Sequence, residues 1–163
     1  MKKPIEIYIP IYKVTVIMVF GWTKEQILKC GKEHGVKEQR EMSKWIDKNI
    51  DTCSGFCVRY GDGNRDILIW LKKYPESFKE YGVVYHELYH AIDFIAYDID
   101  PETMMSNEGS SEARAFLFEY IINEANRVLW NMKFKEIQKQ NESSTTRRIS
   151  KLKGIRRKTH QPS

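Results

Sequence analysis

Ile5, Ile7 and Ile9 occupy every second position near the start of the chain, and the run from Ile11 to Phe20 that follows is rich in β-branched residues and closes at Gly21. Such patterning suits extended backbone, and it predicts one long first strand over 5–20. The period then changes. Thr23 stands where an N-cap belongs, with Gln26 three positions on at capping-box spacing, and Ile27 and Cys30 would face inward until Gly35 stops the helix. Met42, Trp45 and Ile46, with Ile50 beyond them, mark a second helix over 37–49. These two helices are expected to cover one side of a sheet.

Two further strands are predicted at 55–60 and 66–71, joined by Gly61-Asp62-Gly63-Asn64, whose composition suits a tight reversal. Pro75-Glu76-Ser77 opens a longer helix that should run to about Tyr97, because Pro101 disfavours helix at the residue before it. In this helix Val84, Leu88, Ala91, Ile92 and Ile95 form one apolar stripe. After a loop to about 110, Ser110 or Ser111 can cap another helix, with Ala113, Phe116, Leu117, Tyr120, Ile121, Ala125, Val128 and Leu129 as a broad apolar face against the preceding helix. Strands and helices in this order predict an α+β fold with a small, mostly antiparallel sheet.

The chemistry concentrates in the longer helix, where His86-Glu87-Leu88-Tyr89-His90 places two imidazoles on one face with a carboxylate beside them. Residues four apart are rotated by only about 40° and separated by about 6 Å along the axis. Both rings can therefore reach one Zn²⁺ ion and leave positions for a third ligand and a water, from which Glu87 can take a proton. Asp93, one turn after His90, can orient a ligand imidazole.

A chain of 163 residues, 41% apolar, is expected to form one domain with one core. We place it at 1–140. No apolar run approaches the roughly 20 residues of a membrane helix, and Pro4, Glu6, Pro10 and Lys13 break any signal-peptide core. No membrane association and a cytoplasmic location are expected, as is a reduced state for Cys30, Cys53 and Cys57. Cys30 with His34, and Cys53 with Cys57, each four apart, suggest a second metal site, although this spacing departs from the usual Cys-x2-Cys knuckle and a small buried cysteine is the commoner use. Residues 131–163 carry ten Lys/Arg against two Glu, a charge of +8 that leaves −3 for 1–130. From Asn141 the apolar content is so low that a disordered basic tail is predicted over 141–163, able to bind nucleic acid through its phosphates or to remain solvated.

The motif and its flanks, Val83, Leu88, Tyr89, Ala91 and Ile92, resemble the zincin metallopeptidases. Ala96 stands where metzincins carry a third histidine and cannot coordinate. Glu112, 22 positions after His90, resembles the third ligand of gluzincins, with Glu108 of Asn107-Glu108 as the competing choice. Ser111-Glu112-Ala113-Arg114-Ala115-Phe116 and Tyr120 are similar to a segment of short His-Glu-x-x-His proteins of tailed bacteriophages, which would place this chain in a host cytoplasm. The resemblance implies a minimal zincin-like fold whose edge strand, expected at 66–71, pairs with an extended peptide. It also makes Arg114, Tyr120, Tyr85 and Tyr89 candidates for transition-state stabilisation. The expected activity is zinc-dependent peptide-bond hydrolysis of a peptide or protein substrate. The alternative is a catalytically inactive zincin-fold module that binds DNA or a protein partner through its basic tail.

Overall fold

The computed structural model describes residues 3–36, 39–60, 65–99 and 108–158. Its architecture is α+β. Strands β1 (Ile5–Ile9), β2 (Val14–Phe20), β3 (Gly55–Arg59) and β4 (Ile67–Leu71) form one sheet in the order β1-β2-β4-β3. The outer pairings are antiparallel, and β2 and β4 run parallel at the centre. The helices are α1 (Lys24–Glu33), α2 (Gln39–Asn49), α3 (Phe78–Ile99) and α4 (Glu108–Lys158).

The single long strand predicted at the N-terminus is in fact two. Pro10 has no N–H for a ladder, and Lys13 adopts a left-handed φ of 53°, so the chain reverses with Tyr12 N–H donating to the Ile9 carbonyl at 3.2 Å. A second expectation also changes, because β4 is an interior strand and the sheet's edge at this end is β3. The reason is visible in the side chains. Ile67-Leu68-Ile69-Trp70-Leu71 is buried at every position, as a strand covered on both faces must be, whereas β3 is mostly half-buried.

The capping box at Thr23 and Gln26 forms in both directions, and Gly35, at φ +80°, ends the first helix as expected. Ile27 and Cys30 of α1 and Ile46 of α2 then pack with Ile17, Val19, Leu68, Trp70 and Phe56 over one face of the sheet. Helix α3 covers the other face, packing on β3 and β4, and all five residues of its predicted stripe are buried. Ser77 and Glu80 close its first turn: the Glu80 carboxylate accepts the backbone N–H groups of Glu76 and Ser77. Among the described side chains of α4 the buried ones are Leu117, Ile121, Ala125 and Leu129, a narrower stripe than predicted, with Phe116 and Tyr120 exposed. The reversal at 61–64, the loop at 100–107 and the side chains of Ser110 and Ser111 lie outside the described residues.

The chain divides into two compact units, 1–124 and 125–163, with the division inside α4. Where composition alone predicted disorder from Asn141, the backbone is helical through Lys158. That stretch contains no proline before Pro162, and its Lys, Arg, Glu and Gln residues carry small helix costs. Among the described residues no helix is long and apolar enough to cross a membrane.

Candidate metal centre

His86 and His90 stand on the exposed side of α3, and their Nε2 atoms approach to 3.1 Å with the rings edge to face. That separation can be tested against a metal. Zinc–imidazole bonds of about 2.0–2.1 Å at a tetrahedral angle place two ligand nitrogens about 3.3 Å apart. The 3.1 Å contact, a hydrogen bond between the two rings, is close to that spacing and follows from the i,i+4 arrangement.

Glu87 does the opposite of its neighbours. One residue turns the helix by about 100°, which carries this side chain from the exposed side to the sheet, where it is 5% exposed. It is the one buried charged residue among those described. Two residues of β3 enclose it. A Cβ added to Gly55 would stand 3.1 Å from Cγ of Glu87, so any larger residue would press on the carboxylate stem. Cys57, on the same face of β3, feels the Glu87 charge, although burial is the larger cause that pushes its thiol well above the ordinary range. Burial likewise raises the Glu87 carboxyl above its usual value, against the opposing pull of His86 and His90. A base in this position is more basic than one in water.

Glu112 is exposed and lies in the fifth position of α4. Among the described residues no group of three or more His, Cys, Asp or Glu gathers to hold a metal, so Glu112 does not join the histidine pair there. The side chain of Glu108 lies outside the described residues. Arg114 and Asp93, with Tyr89, Ile92, Ala115 and Phe118, line a cavity of about 310 Å³ between α3 and α4, one turn beyond His90. Tyr120 is directed elsewhere, because its hydroxyl donates to the Tyr8 carbonyl of β1 at 3.2 Å. Six residues rotate a helix by about 240°, so Arg114 and Tyr120 cannot share a face. Tyr85 is half-buried and Tyr89 exposed, both on α3.

The possible second metal site is taken up by other contacts. His34 Nδ1 pairs with Asp66 Oδ2 at 2.9 Å, and the other Asp66 oxygen accepts the Thr15 N–H at 2.9 Å. The Tyr60 hydroxyl donates to Cys30 Sγ at 3.6 Å, while Cys53 sits beside Thr52 and Asn49.

Sequence reading missed β3 as the wall of the site. Tyr60 N–H donates to the Asp66 carbonyl and Lys72 N–H to that of Ser54, so residues 54, 56, 58 and 60 face β4. By alternation, Gly55, Cys57 and Arg59 direct their N–H and C=O groups to the open edge. Along that edge runs a groove of about 800 Å³ between α2 and α3, lined by Met42, Trp45, Val58, Arg59 and Phe94. Arg59 also ion-pairs with Asp98, which ties the end of β3 to α3. The available signal was the burial pattern: a continuous apolar run reads as an interior strand, and a glycine inside a strand marks close approach. No family model, curated protein or solved structure matches this chain.

Proposed function

We propose that the protein is a zinc-dependent peptidase of minimal zincin-like fold, with peptide or protein substrates. The observation that carries this reading is the pairing of two converging imidazole nitrogens with a carboxylate buried between their helix and an open sheet edge. His86 and His90 would hold the metal, with Glu112 or Glu108 as third ligand. The donor set of two imidazoles and a carboxylate suits zinc. When bound, zinc supplies Lewis acidity, which polarises a carbonyl and makes water acidic near neutral pH.

The chain's own residues do the rest. Gly55, Cys57 and Arg59 offer backbone donors and acceptors to which an extended peptide can add as a further strand. A strand held there passes Glu87, because Gly55 touches that side chain. Glu87 takes a proton from the attacking water and gives it to the departing amine, and its raised pKa serves both transfers. Asp93, one turn after His90, would steady that ring, and Arg114 would meet developing negative charge from the wall of the cavity that it lines with Asp93.

The test combines metal analysis with cleavage of a mixed peptide library by wild type and by Glu87→Gln. About one zinc per chain and cleavage by the wild type alone are expected. Well-folded protein that takes up no zinc from supplemented medium would defeat the metal assignment, and a Glu87→Gln protein that cleaves at wild-type rate would defeat the mechanism.

A further inference from the structure

The two compact units of this protein differ in charge. Residues 125–163 hold eleven Lys/Arg against Glu136 and Glu142, a net +9, which leaves −4 for residues 1–124 of a chain whose total is +5. All eleven cations fall within 127–158, on one continuous helix. The exposed part of that helix also changes its apolar side. Leu117, Ile121, Ala125 and Leu129 are buried at intervals of four, whereas Trp130, Phe134 and Ile137, starting one residue later, are 68%, 54% and 46% exposed.

We infer that residues 125–158 form a nucleic-acid-binding element that holds the phosphodiester backbone without reading base sequence. The helix offers about one cation per three residues, and at about 1.5 Å per residue it runs some 50 Å. Its length and charge complement a polyanion carrying about one charge per 1.7 Å of duplex. Trp130 and Phe134, with Lys133 and Lys135 beside them in sequence, give exposed π-faces next to cations, the combination on which unpaired bases stack.

Other occupants fit less well. A helix lying in a bilayer interface needs a continuous apolar face. Here the positions that would continue the face of Ile137, at 141, 144, 145 and 148, are Asn, Ser, Thr and Arg, and the next aliphatic residue is Ile149. A second copy of the helix would bring one +9 segment against another. The inference stands apart from the peptidase reading and does not need it.

The experiment is fluorescence anisotropy of the full chain with a 30-base-pair DNA duplex and a 30-nucleotide single strand, each in two unrelated sequences. Binding should be alike for the unrelated sequences and should weaken by about 10³-fold between 50 and 200 mM salt if about six phosphates are neutralised. Arg147→Gln, Arg148→Gln, Lys151→Gln and Lys153→Gln combined should lower affinity at least tenfold at 100 mM salt. They should also flatten the log–log salt slope by about three to four, with an unchanged melting temperature. A single-strand preference that Trp130→Ala removes would assign stacking to that ring, and equal duplex and single-strand affinity would assign the phosphates alone. Absence of binding at 50 mM salt, or binding undiminished in the fourfold variant, would overturn the inference. So would binding to phosphatidylserine vesicles without binding to either DNA.

Discussion

Gly55 on β3 and Glu87 on α3 are packed so closely that a β-carbon on the first would lie 3.1 Å from Cγ of the second. The same added atom would meet Val83 Cγ1 at 3.1 Å and Leu71 Cδ2 at 3.0 Å, so it has no free direction. The position of the proposed base therefore depends on a missing side chain in another element.

Gly55→Ala should cut peptidase activity by at least tenfold while zinc stays bound, because the displaced group is Glu87 and not the histidines. Overpacking of this kind costs about 1–3 kcal/mol, so the protein should remain folded at room temperature with a lower melting temperature. Peptide cleavage, metal content and thermal unfolding measured on one preparation check all three points. Full activity in this variant would show that Glu87 has room to spare.

Gly82 is the contrasting case. It lies inside α3 with no atom within 4 Å of an added Cβ, and its φ does not favour glycine. Gly82→Ala should stabilise the protein by about 0.5–1 kcal/mol through helix propensity, with activity unchanged. Denaturant unfolding would read the gain, and a loss of stability would mean that the α3 surface is packed against something there.

The start of α3 should respond to acid through Glu80. Its carboxyl is held down to about 2 by the Lys73 ammonium first, and then by the N–H groups of Glu76 and Ser77. A depressed carboxyl stabilises the fold above its unfolded pKa, and that contribution is lost as pH falls through the folded value. Glu80→Gln should thus melt earlier than wild type at pH 7, and the gap should close between about pH 4.5 and 2. A gap that persists at pH 2 would assign the effect to something other than this charge.

Glu112 should contribute more to zinc affinity than Glu108. Glu108 is the first residue of α4 and Glu112 lies a full turn inside it, so the backbone of Glu112 is the more firmly held before metal arrives. Ordering a residue on binding costs roughly 1–2 kcal/mol. Calorimetric titration of zinc into Glu112→Ala and Glu108→Ala, with His86→Ala as the non-binding reference, compares them. A larger loss in Glu108→Ala would reverse the assignment.

Local patterns along the chain determined what is locally encoded. The Thr23–Gln26 box, the Gly35 stop and the buried stripe of Val84, Leu88, Ala91, Ile92 and Ile95 follow from spacings within one or two turns, and so does the convergence of His86 on His90. Turn chemistry is partly legible: Pro10 removes a ladder donor, yet the β-rich residues on both sides of it predict a continuous strand. The order of strands was another matter. Whether β3 or β4 lies at the edge depends on the parallel pairing of β2 with β4, a contact between residues about fifty apart that no local period encodes. Only tertiary packing brought Gly55 to Glu87, Asp66 to His34, and the Tyr120 hydroxyl to Tyr8. A side chain's chemical type and its angle on a helix belong to its immediate neighbours in sequence, but what it meets across the core is settled by how whole elements bury their apolar faces together.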